Sequence, residues 1–435
     1  MTNKPIVPTH TAFPKAPNSI VDDPTPTDQA VYVPSVTPGY AKDVFKNQWQ
    51  RPLPNGVRGD HLNFLAPNPL FRISHVMSSA GQALNQRQDC IITSRDRTKT
   101  KLICDSGGYK IANSILVIRG DKDLLKILRW IERHGDLGMT LDVPTGPILS
   151  DPSYRYRTTQ DCLHATIGYL AFFQKNRRNE NTKFLNVLQG NTRAETDAWY
   201  DAVKAHDFEG WAFAGKLRHN MYALCRRIIK MINERQIEGK AWIHVLGTNE
   251  LDVAVLLTAL QRAINKYVNQ NLRISFDTSS AFRNLAYNQM FTLPRFDAKN
   301  MTMQTCDAPD SAKFVGSTLP SVWQSSLGNH MALGDFCVPI PPKGTRYRDT
   351  QSNHYLAHHN LSTLCSGIDL ANRLFDCDII AGQYTFASSV GIAAEAIDAV
   401  IKAGDMATLK KYRKSFTSLR HEPRFIDEER DLFEE

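Results

Sequence analysis

Acidic and amide side chains recur in this 435-residue chain at the ends of short apolar runs. One run, Leu102–Cys104, ends in Asp105 followed by a serine and two glycines, and similar runs end in Asp142, Gln189 and Asp277. Carboxyl groups placed in this way can act as acid, base or nucleophile. Adjacent glycines let a ligand approach the backbone closely. The sequence Asp-Ser-Gly-Gly is also typical of an ordinary turn. A catalytic role therefore depends on whether the polar residues that end these apolar runs lie close together in the fold.

The elements that must position these residues alternate between strand and helix. The predicted strands are 73–77, 101–104, 138–143, 183–188, 210–214, 241–246 and 272–276. The predicted helices are 121–134, 161–175, 192–205, 219–235, 249–268, 360–374 and 388–402. Alternation predicts a parallel sheet covered by helices, and six or seven units without a G-x-G-x-x-G turn favour an α/β fold of the TIM-type (β/α)8 barrel class. All strand ends then meet at one mouth, where unpartnered buried carboxylates would be costly for structure alone.

The chain divides into three predicted regions. Residues 1–56 contain ten of the 22 prolines, which is typical of an extended proline-rich N-terminal arm. Residues 57–405 are predicted to form the barrel domain, with an irregular insertion at 296–358 late in the barrel. Residues 406–435 would form a basic segment, L-K-K-Y-R-K at 409–414, and an acidic tail. The basic run is equally compatible with a solvated helix face and with phosphate contact.

Composition limits the location and the partners. The net charge of +8 and the pI near 9.0 suit a polyanionic partner. None of the eight cysteines forms a C-x-x-C pair, which indicates free thiols in a reducing compartment. No apolar run approaches the roughly 18–20 residues of a membrane helix, and the N-terminus lacks the apolar core of a signal peptide. We therefore expect a cytoplasmic protein without a membrane partner.

Six short motifs lie in the order and approximate spacing of a known family. They are C-D-S-G-G-Y (104–109), L-D-V-P-T (141–145), N-V-L-Q-G (186–190), G-W-A-F-A-G (210–215), H-V-L-G (244–247) and I-S-F-D (274–277). Together they resemble the tRNA-guanine transglycosylase superfamily over roughly residues 60–375. The resemblance implies a pentosyltransferase that exchanges a base through a covalent aspartyl-glycosyl intermediate.

The resemblance also implies roles for individual residues. Asp277 matches the nucleophile and Asp105 the general acid and base. The positions that would hold a guanine-type base are Gly108, Tyr109, Lys110, Asp142, Gln189, Gly190 and Gly215. Tyr109 would stack on the base, and Arg218, Arg226 and Arg283 are candidates for contact with the flanking phosphates.

Departures from the family pattern bear on the substrate. Lys110 stands where the family usually has glutamine, and D-T-S-S-A-F-R (277–283) replaces the proline-threonine-arginine context of the tRNA enzymes. With the divergent 296–350 segment, these differences resemble the phage and bacterial branch that replaces guanine in DNA by a 7-deazaguanine derivative. That branch implies DNA and a free 7-deazaguanine base as partners, a flipped-out target base, and the host cytoplasm if phage-encoded. An enzyme acting on tRNA and a non-catalytic, nucleic-acid-binding barrel subunit remain alternatives.

Zinc is a second open question. The family site is C-x-C-x-x-C followed by a histidine in an H-N-L context. Here His359 keeps that context, but Cys337 is the sole cysteine of D-F-C-V-P-I, with Asp335 as a candidate oxygen ligand. Structural zinc takes four ligands, so these three define only a candidate site. No organic cofactor is expected.

Overall fold

Eight parallel strands form the centre of the protein. The structure, a computed structural model, describes residues 28–81, 89–112, 116–178, 181–215, 217, 220–296, 301–321, 325–339, 347–382, 387–417 and 419. The barrel strands are β1 (Val31–Pro34), β2 (His75–Ser79), β3 (Lys101–Asp105), β4 (Leu137–Met139), β5 (Lys183–Leu188), β6 (Gly210–Phe213), β7 (Trp242–Val245) and β8 (Arg273–Thr278). They pair in the order β1-β8-β7-β6-β5-β4-β3-β2. The predicted (β/α)8 barrel is thereby confirmed.

Helices connect and cover the strands. They are α1 (Pro38–Lys46), α2 (Gly108–Ala112), α3 (Asp121–His134), α4 (Thr159–Asn176), α5 (Arg193–Val203), α6 (Met221–Asn233), α7 (Leu251–Tyr267), α8 (Ser280–Arg283), α9 (Thr350–Ala381), α10 (Ser388–Ala403), α11 (Met406–Lys411) and α12 (Arg413–Thr417). Thr192 and Glu195 form a capping box at the start of α5, since the Glu195 N–H donates to Thr192 Oγ1 at 3.2 Å and the Thr192 N–H donates to a Glu195 carboxylate oxygen at 3.3 Å. Within the described ranges, no helix combines the length and apolarity needed to cross a membrane.

Alternate residues of each strand fill the barrel interior. This follows from the two-residue repeat of strand side chains, which in a closed sheet sends every second one inward. The inner apolar cluster consists of Val31, Val33, Met77, Ile103, Leu137, Met139, Leu185, Val187, Ala212, Ala214 and Trp242. The same inward phase continues to Asp105, Gln189 and Asp277 at the carboxyl ends of their strands. The repeat that builds the core therefore also directs these polar groups into the mouth.

The N-terminal segment supplies a barrel strand. β1 pairs in parallel with β8, and the Val36 N–H donates to the Met77 carbonyl at 3.1 Å on the β2 side. The prediction of an extended arm up to residue 56 is wrong for residues 31–46, which form β1 and α1. Val31 and Val33 are fully buried, so this short strand contributes apolar side chains to the core despite the prolines around it. Residues 1–27 lie outside the described ranges.

The late insertion is more regular than predicted. β9 (Gln289–Phe296) and β10 (Met301–Asp307) form an antiparallel hairpin, and α9 begins at Thr350 rather than at residue 360. The prediction of irregular structure over 296–358 is therefore wrong at both ends. The basic run lies in α11 and α12, with Leu409 buried and Lys410 exposed. The predicted acidic tail falls outside the described ranges.

Candidate functional site

Asp105 ends β3 at the mouth, opposite Ser79 of β2. Its Oδ1 accepts a hydrogen bond from the Gly107 N–H at 3.2 Å. Burial raises the pKa of the Asp105 carboxyl group and the negative charge of Asp277 raises it further, whereas Lys110 opposes the shift. A raised pKa keeps the proton on the carboxyl group to higher pH, which suits a general acid.

Asp277 lies in β8, paired with Val33 of β1, and is only 7% exposed. Its Oδ1 accepts a hydrogen bond from the Gly247 N–H at 2.8 Å, and His244 Nε2 lies 3.2 Å from the same oxygen. Within the described part of the chain, Oδ2 has no hydrogen-bond partner. In Asp277, Oδ1 is therefore fixed by its hydrogen-bond partners, and Oδ2 is available to a ligand.

Asp142 and Gln189 form a buried pair beside these two carboxyl groups. Gln189 Nε2 donates to Asp142 Oδ2 at 2.7 Å. Burial raises the pKa of Asp142 to about 7, the Gln189 hydrogen bond opposes the shift, and the charge of Asp105 adds to it. A Cβ at Gly108 would lie 2.8 Å from Asp142 Oδ1, so only glycine lets the backbone pass so close to this carboxyl group.

Gly190 and Gly215 bring the loops after β5 and β6 together. Gly215 has a φ of +60°, and a Cβ there would lie 2.5 Å from the Gly190 carbonyl oxygen. A side chain at position 215 is therefore excluded by both conformation and space. The two glycines lie in neighbouring loops next to Gln189, so the backbone of position 215 reaches the mouth.

Tyr109 and Lys110 follow Gly108 in α2. The side-chain contacts of Tyr109 lie outside what the structure describes, so its stacking role stays a prediction. Burial lowers the pKa of the half-buried Lys110 amino group, and the negative charge of Asp105 opposes this shift. Lys110 and Asp105 therefore interact electrostatically.

The three arginines predicted to contact phosphate differ in whether their side chains are already paired within the protein. Arg226 donates two hydrogen bonds to Asp197, at 3.1 and 3.0 Å, so its guanidinium is committed within the protein. The prediction that Arg226 contacts phosphate is not supported by this pairing. Arg283 ends α8 just beyond Asp277 and is exposed. Arg218 lies outside the described ranges.

The candidate zinc ligands have other partners. His359 Nε2 lies 2.8 Å from the Phe291 carbonyl oxygen, and its Nδ1 lies 2.8 Å from Ser325 Oγ. A carbonyl only accepts, so Nε2 carries the hydrogen and Nδ1 accepts from the serine, which leaves no free nitrogen for a metal. Asp335 Oδ2 accepts from the Ala332 N–H at 2.8 Å.

Cys337 is buried and does not complete a site with these two residues. In the described ranges, no group of three or more histidine, cysteine, aspartate or glutamate side chains could hold a metal ion. The residues present do not fit the zinc site in this arrangement. Zinc stays a prediction, and no step proposed below depends on it.

The contacts that His244 and the Gly247 N–H make with Asp277 were not predicted from the sequence. His244 stands in the H-V-L-G motif, where a polar side chain interrupts a buried strand. That interruption was a usable signal, because a buried histidine needs partners for its ring nitrogens. The strand register was required to show that Asp277 is one of those partners.

Asp142 allows a test of the site through stability. Its carboxyl pKa is about 7 in the folded protein and about 4 in the unfolded chain. The folded protein therefore holds the extra proton, and its stability falls as the pH rises from about 4 to about 7. Asp142→Asn keeps an oxygen for Gln189 but cannot ionise. We expect its free energy of unfolding at pH 8 to exceed that of the wild type by up to about 4 kcal/mol.

Urea unfolding at pH 8 and at pH 4 measures this effect. The gain should be nearly gone at pH 4, where the wild-type carboxyl group is protonated in the folded protein and about half protonated in the unfolded chain. An equal change at the two pH values would contradict the raised pKa.

Fold and site together define a class: a parallel (β/α)8 barrel with three carboxyl groups and a glutamine at the carboxyl ends of its strands. A scan against models of known protein families finds no match. A search of curated proteins also finds none. The resemblance to the transglycosylases therefore depends on the six motifs and on the positions of their residues.

Proposed function

We propose that this protein is a transglycosylase that exchanges guanine in DNA for a 7-deazaguanine derivative. The observation that carries the proposal is the arrangement of Asp105 and Asp277 at one mouth, with the Asp142–Gln189 pair beside them. One carboxyl group has a raised pKa and the other has an available oxygen. Two unlike carboxyl groups are what a double displacement at a sugar carbon needs.

The first displacement removes guanine. Oδ2 of Asp277 forms a bond to C1′ of the target nucleotide while the C1′–N9 bond breaks. The electron pair of that bond leaves with the guanine, and the carboxylic acid of Asp105 supplies the proton that neutralises it. The sugar is then held as a glycosyl ester of Asp277.

The second displacement inserts the new base. Asp105, now a carboxylate, takes the N9 proton of the incoming 7-deazaguanine. N9 attacks C1′, the bond to Asp277 Oδ2 breaks, and both side chains return to their starting state. Two inversions give net retention at C1′, as in retaining glycosidases.

Base selection follows from the buried Asp142. Guanine presents two donors, N1–H and the exocyclic amine, and an ionised Asp142 can accept from both. The second hydrogen of the Gln189 amide and the backbone N–H of Gly215 are the donors available for O6. Adenine and cytosine lack this donor pair, so the buried carboxylate would keep only its hydrogen bond from Gln189 and receive no matching pair of donors from the base, which is costly.

The choice of DNA over tRNA depends on the sequence around the site. The target base must leave its stack to reach the mouth in either case. Lys110 in place of glutamine and the D-T-S-S-A-F-R segment after the nucleophile are the features that favour DNA. Arg283, six residues after Asp277, is exposed and offers a positive charge to a backbone phosphate of the nucleic acid.

A guanine-exchange assay tests this proposal. Purified protein is incubated with radiolabelled guanine and either duplex DNA or tRNA at matched salt, and label in the nucleic acid is counted. We expect labelled guanine to be incorporated into DNA. A 7-deazaguanine added afterwards should then displace the label irreversibly. Incorporation into tRNA alone would show that the DNA assignment is wrong. No incorporation into either would contradict a transglycosylase and favour a non-catalytic subunit.

A further inference from the structure

A line of buried polar side chains runs through the barrel interior to Asp277. Trp242 Nε1 donates to Ser275 Oγ at 2.7 Å, and Ser275 Oγ lies 2.7 Å from His244 Nδ1. His244 Nε2 lies 3.2 Å from Asp277 Oδ1. His244 and Ser275 are both 0% exposed. This relay, Trp242–Ser275–His244, occupies space that apolar side chains fill elsewhere in the barrel.

The chemistry of the donors determines the direction of the relay. An indole N–H only donates, so Ser275 Oγ is the acceptor of the first bond. The serine hydroxyl hydrogen is then free to point at His244 Nδ1. With Nδ1 accepting, the imidazole hydrogen sits on Nε2 and is donated to Asp277 Oδ1. The other tautomer would place a nitrogen lone pair against a buried carboxylate oxygen, which is costly.

We propose that His244 is a positioning residue that determines which oxygen of Asp277 acts as the nucleophile, an inference that rests on the proposed function. Oδ1 receives two N–H donors, from His244 and from the Gly247 backbone. In the described part of the chain, Oδ2 receives none. The carboxylate therefore cannot rotate without losing both donors, and Oδ2 is the oxygen presented to C1′.

The same two donors assist the return step. In the glycosyl ester, Oδ2 is bonded to C1′ and Oδ1 is the carbonyl oxygen. When the incoming base attacks C1′ and the C1′–Oδ2 bond breaks, negative charge returns to the carboxylate. N–H groups already aimed at Oδ1 stabilise that charge without further rearrangement. The relay thus contributes to both displacements while touching neither the base nor the sugar.

Three variants of the relay separate this role from simple packing. His244→Leu removes the donor, His244→Gln keeps an amide N–H near the position of Nε2, and Ser275→Ala removes the group that selects the tautomer. The matched control is His354→Leu. His354 is also buried and also faces an aspartate, with Nε2 3.0 Å from Asp43 Oδ2, but it lies outside the site.

Steady-state exchange and single-turnover adduct formation are measured for each variant, together with thermal midpoints. Because a hydrogen bond to a charged group is involved, His244→Leu should lower kcat by roughly 10- to 100-fold with KM for the free base unchanged. His244→Gln should recover most of that loss, and Ser275→Ala should lower kcat a few-fold. His354→Leu should shift the thermal midpoint and leave kcat unchanged.

Wild-type kcat in a folded His244→Leu variant would overturn the inference, as would a glutamine variant no better than leucine. Nitrogen NMR of ¹⁵N-histidine-labelled protein, with the His244 signal assigned by its loss in His244→Gln, gives a reading that needs no activity. The Nε2–H tautomer is expected, and the Nδ1–H tautomer would overturn the relay. If the wild type forms no adduct at all, the proposed function itself fails. If the wild type forms the adduct and the His244 variants exchange the base at the wild-type rate, the proposed function stands and only the positioning role of His244 is wrong.

Discussion

Asp277→Asn is expected to abolish base exchange, with a loss of at least about 1,000-fold. The asparagine carbonyl can still accept from the Gly247 and His244 N–H groups, so the fold around β8 should be kept. Oδ2, however, becomes an amide nitrogen whose lone pair is delocalised and cannot attack C1′. The covalent step is lost while substrate binding remains.

A denaturing gel measures this outcome directly. Wild-type protein trapped with its nucleic acid should give a slower band that is absent from the variant. Binding of the unreacted nucleic acid by both proteins serves as the control for folding. A covalent band that persists in Asp277→Asn would remove Asp277 from the role of nucleophile.

Asp105→Asn is expected to slow guanine release by about 100- to 10,000-fold, the usual contribution of a positioned acid. Burial and the charge of Asp277 raise the pKa of this carboxyl group, so the acid form persists to higher pH than in an exposed aspartate. Wild-type guanine release should accordingly fall as the pH rises through that raised pKa, since only the protonated form is active. The asparagine variant should lose this pH dependence.

A leaving group that needs no proton distinguishes acid catalysis from damage to the site. N7-methylguanine carries a positive charge and leaves as a neutral base. Asp105→Asn should therefore release it from nucleic acid at a rate close to that of the wild type. An equal loss with guanine and with N7-methylguanine would show that Asp105 positions the substrate rather than protonating it.

Local periodicity was sufficient to predict much of the barrel. Lys183–Leu188 was predicted with its observed bounds, and Asp121–His134 likewise, because an apolar run or an amphipathic stripe bounded by polar residues is visible in the letters alone. The convergence of Asp105, Asp142, Gln189 and Asp277 followed from the rule that parallel strands end at one edge. The six motifs added roles for these residues, and those roles remain proposals.

Other features depended on contacts that local patterns do not contain. β1 has four residues and ends in Pro34, so its apolar alternation was too short to outweigh the prolines. β4 ends at Met139 although the apolar run continues, so Asp142 lies beyond the strand rather than at its tip. The bond between Gln189 and Asp142 joins the segments that follow β5 and β4, and the one between His244 and Asp277 joins β7 and β8. Their existence follows from register, which a single strand cannot reveal.

Because β1 lies between β2 and β8, the barrel cannot close until β8 has been synthesised. The first barrel strand leaves the ribosome on the order of 240 residues before its partner β8, a delay of about 10–50 s at ordinary elongation rates. Until then the edge of β1 that faces β8 has no partner. Asp277 arrives only with the strand that closes the barrel. A nascent chain therefore carries Asp105, Asp142 and Gln189 long before Asp277, the proposed nucleophile, is in place, and we expect barrel closure and the proposed activity to appear together.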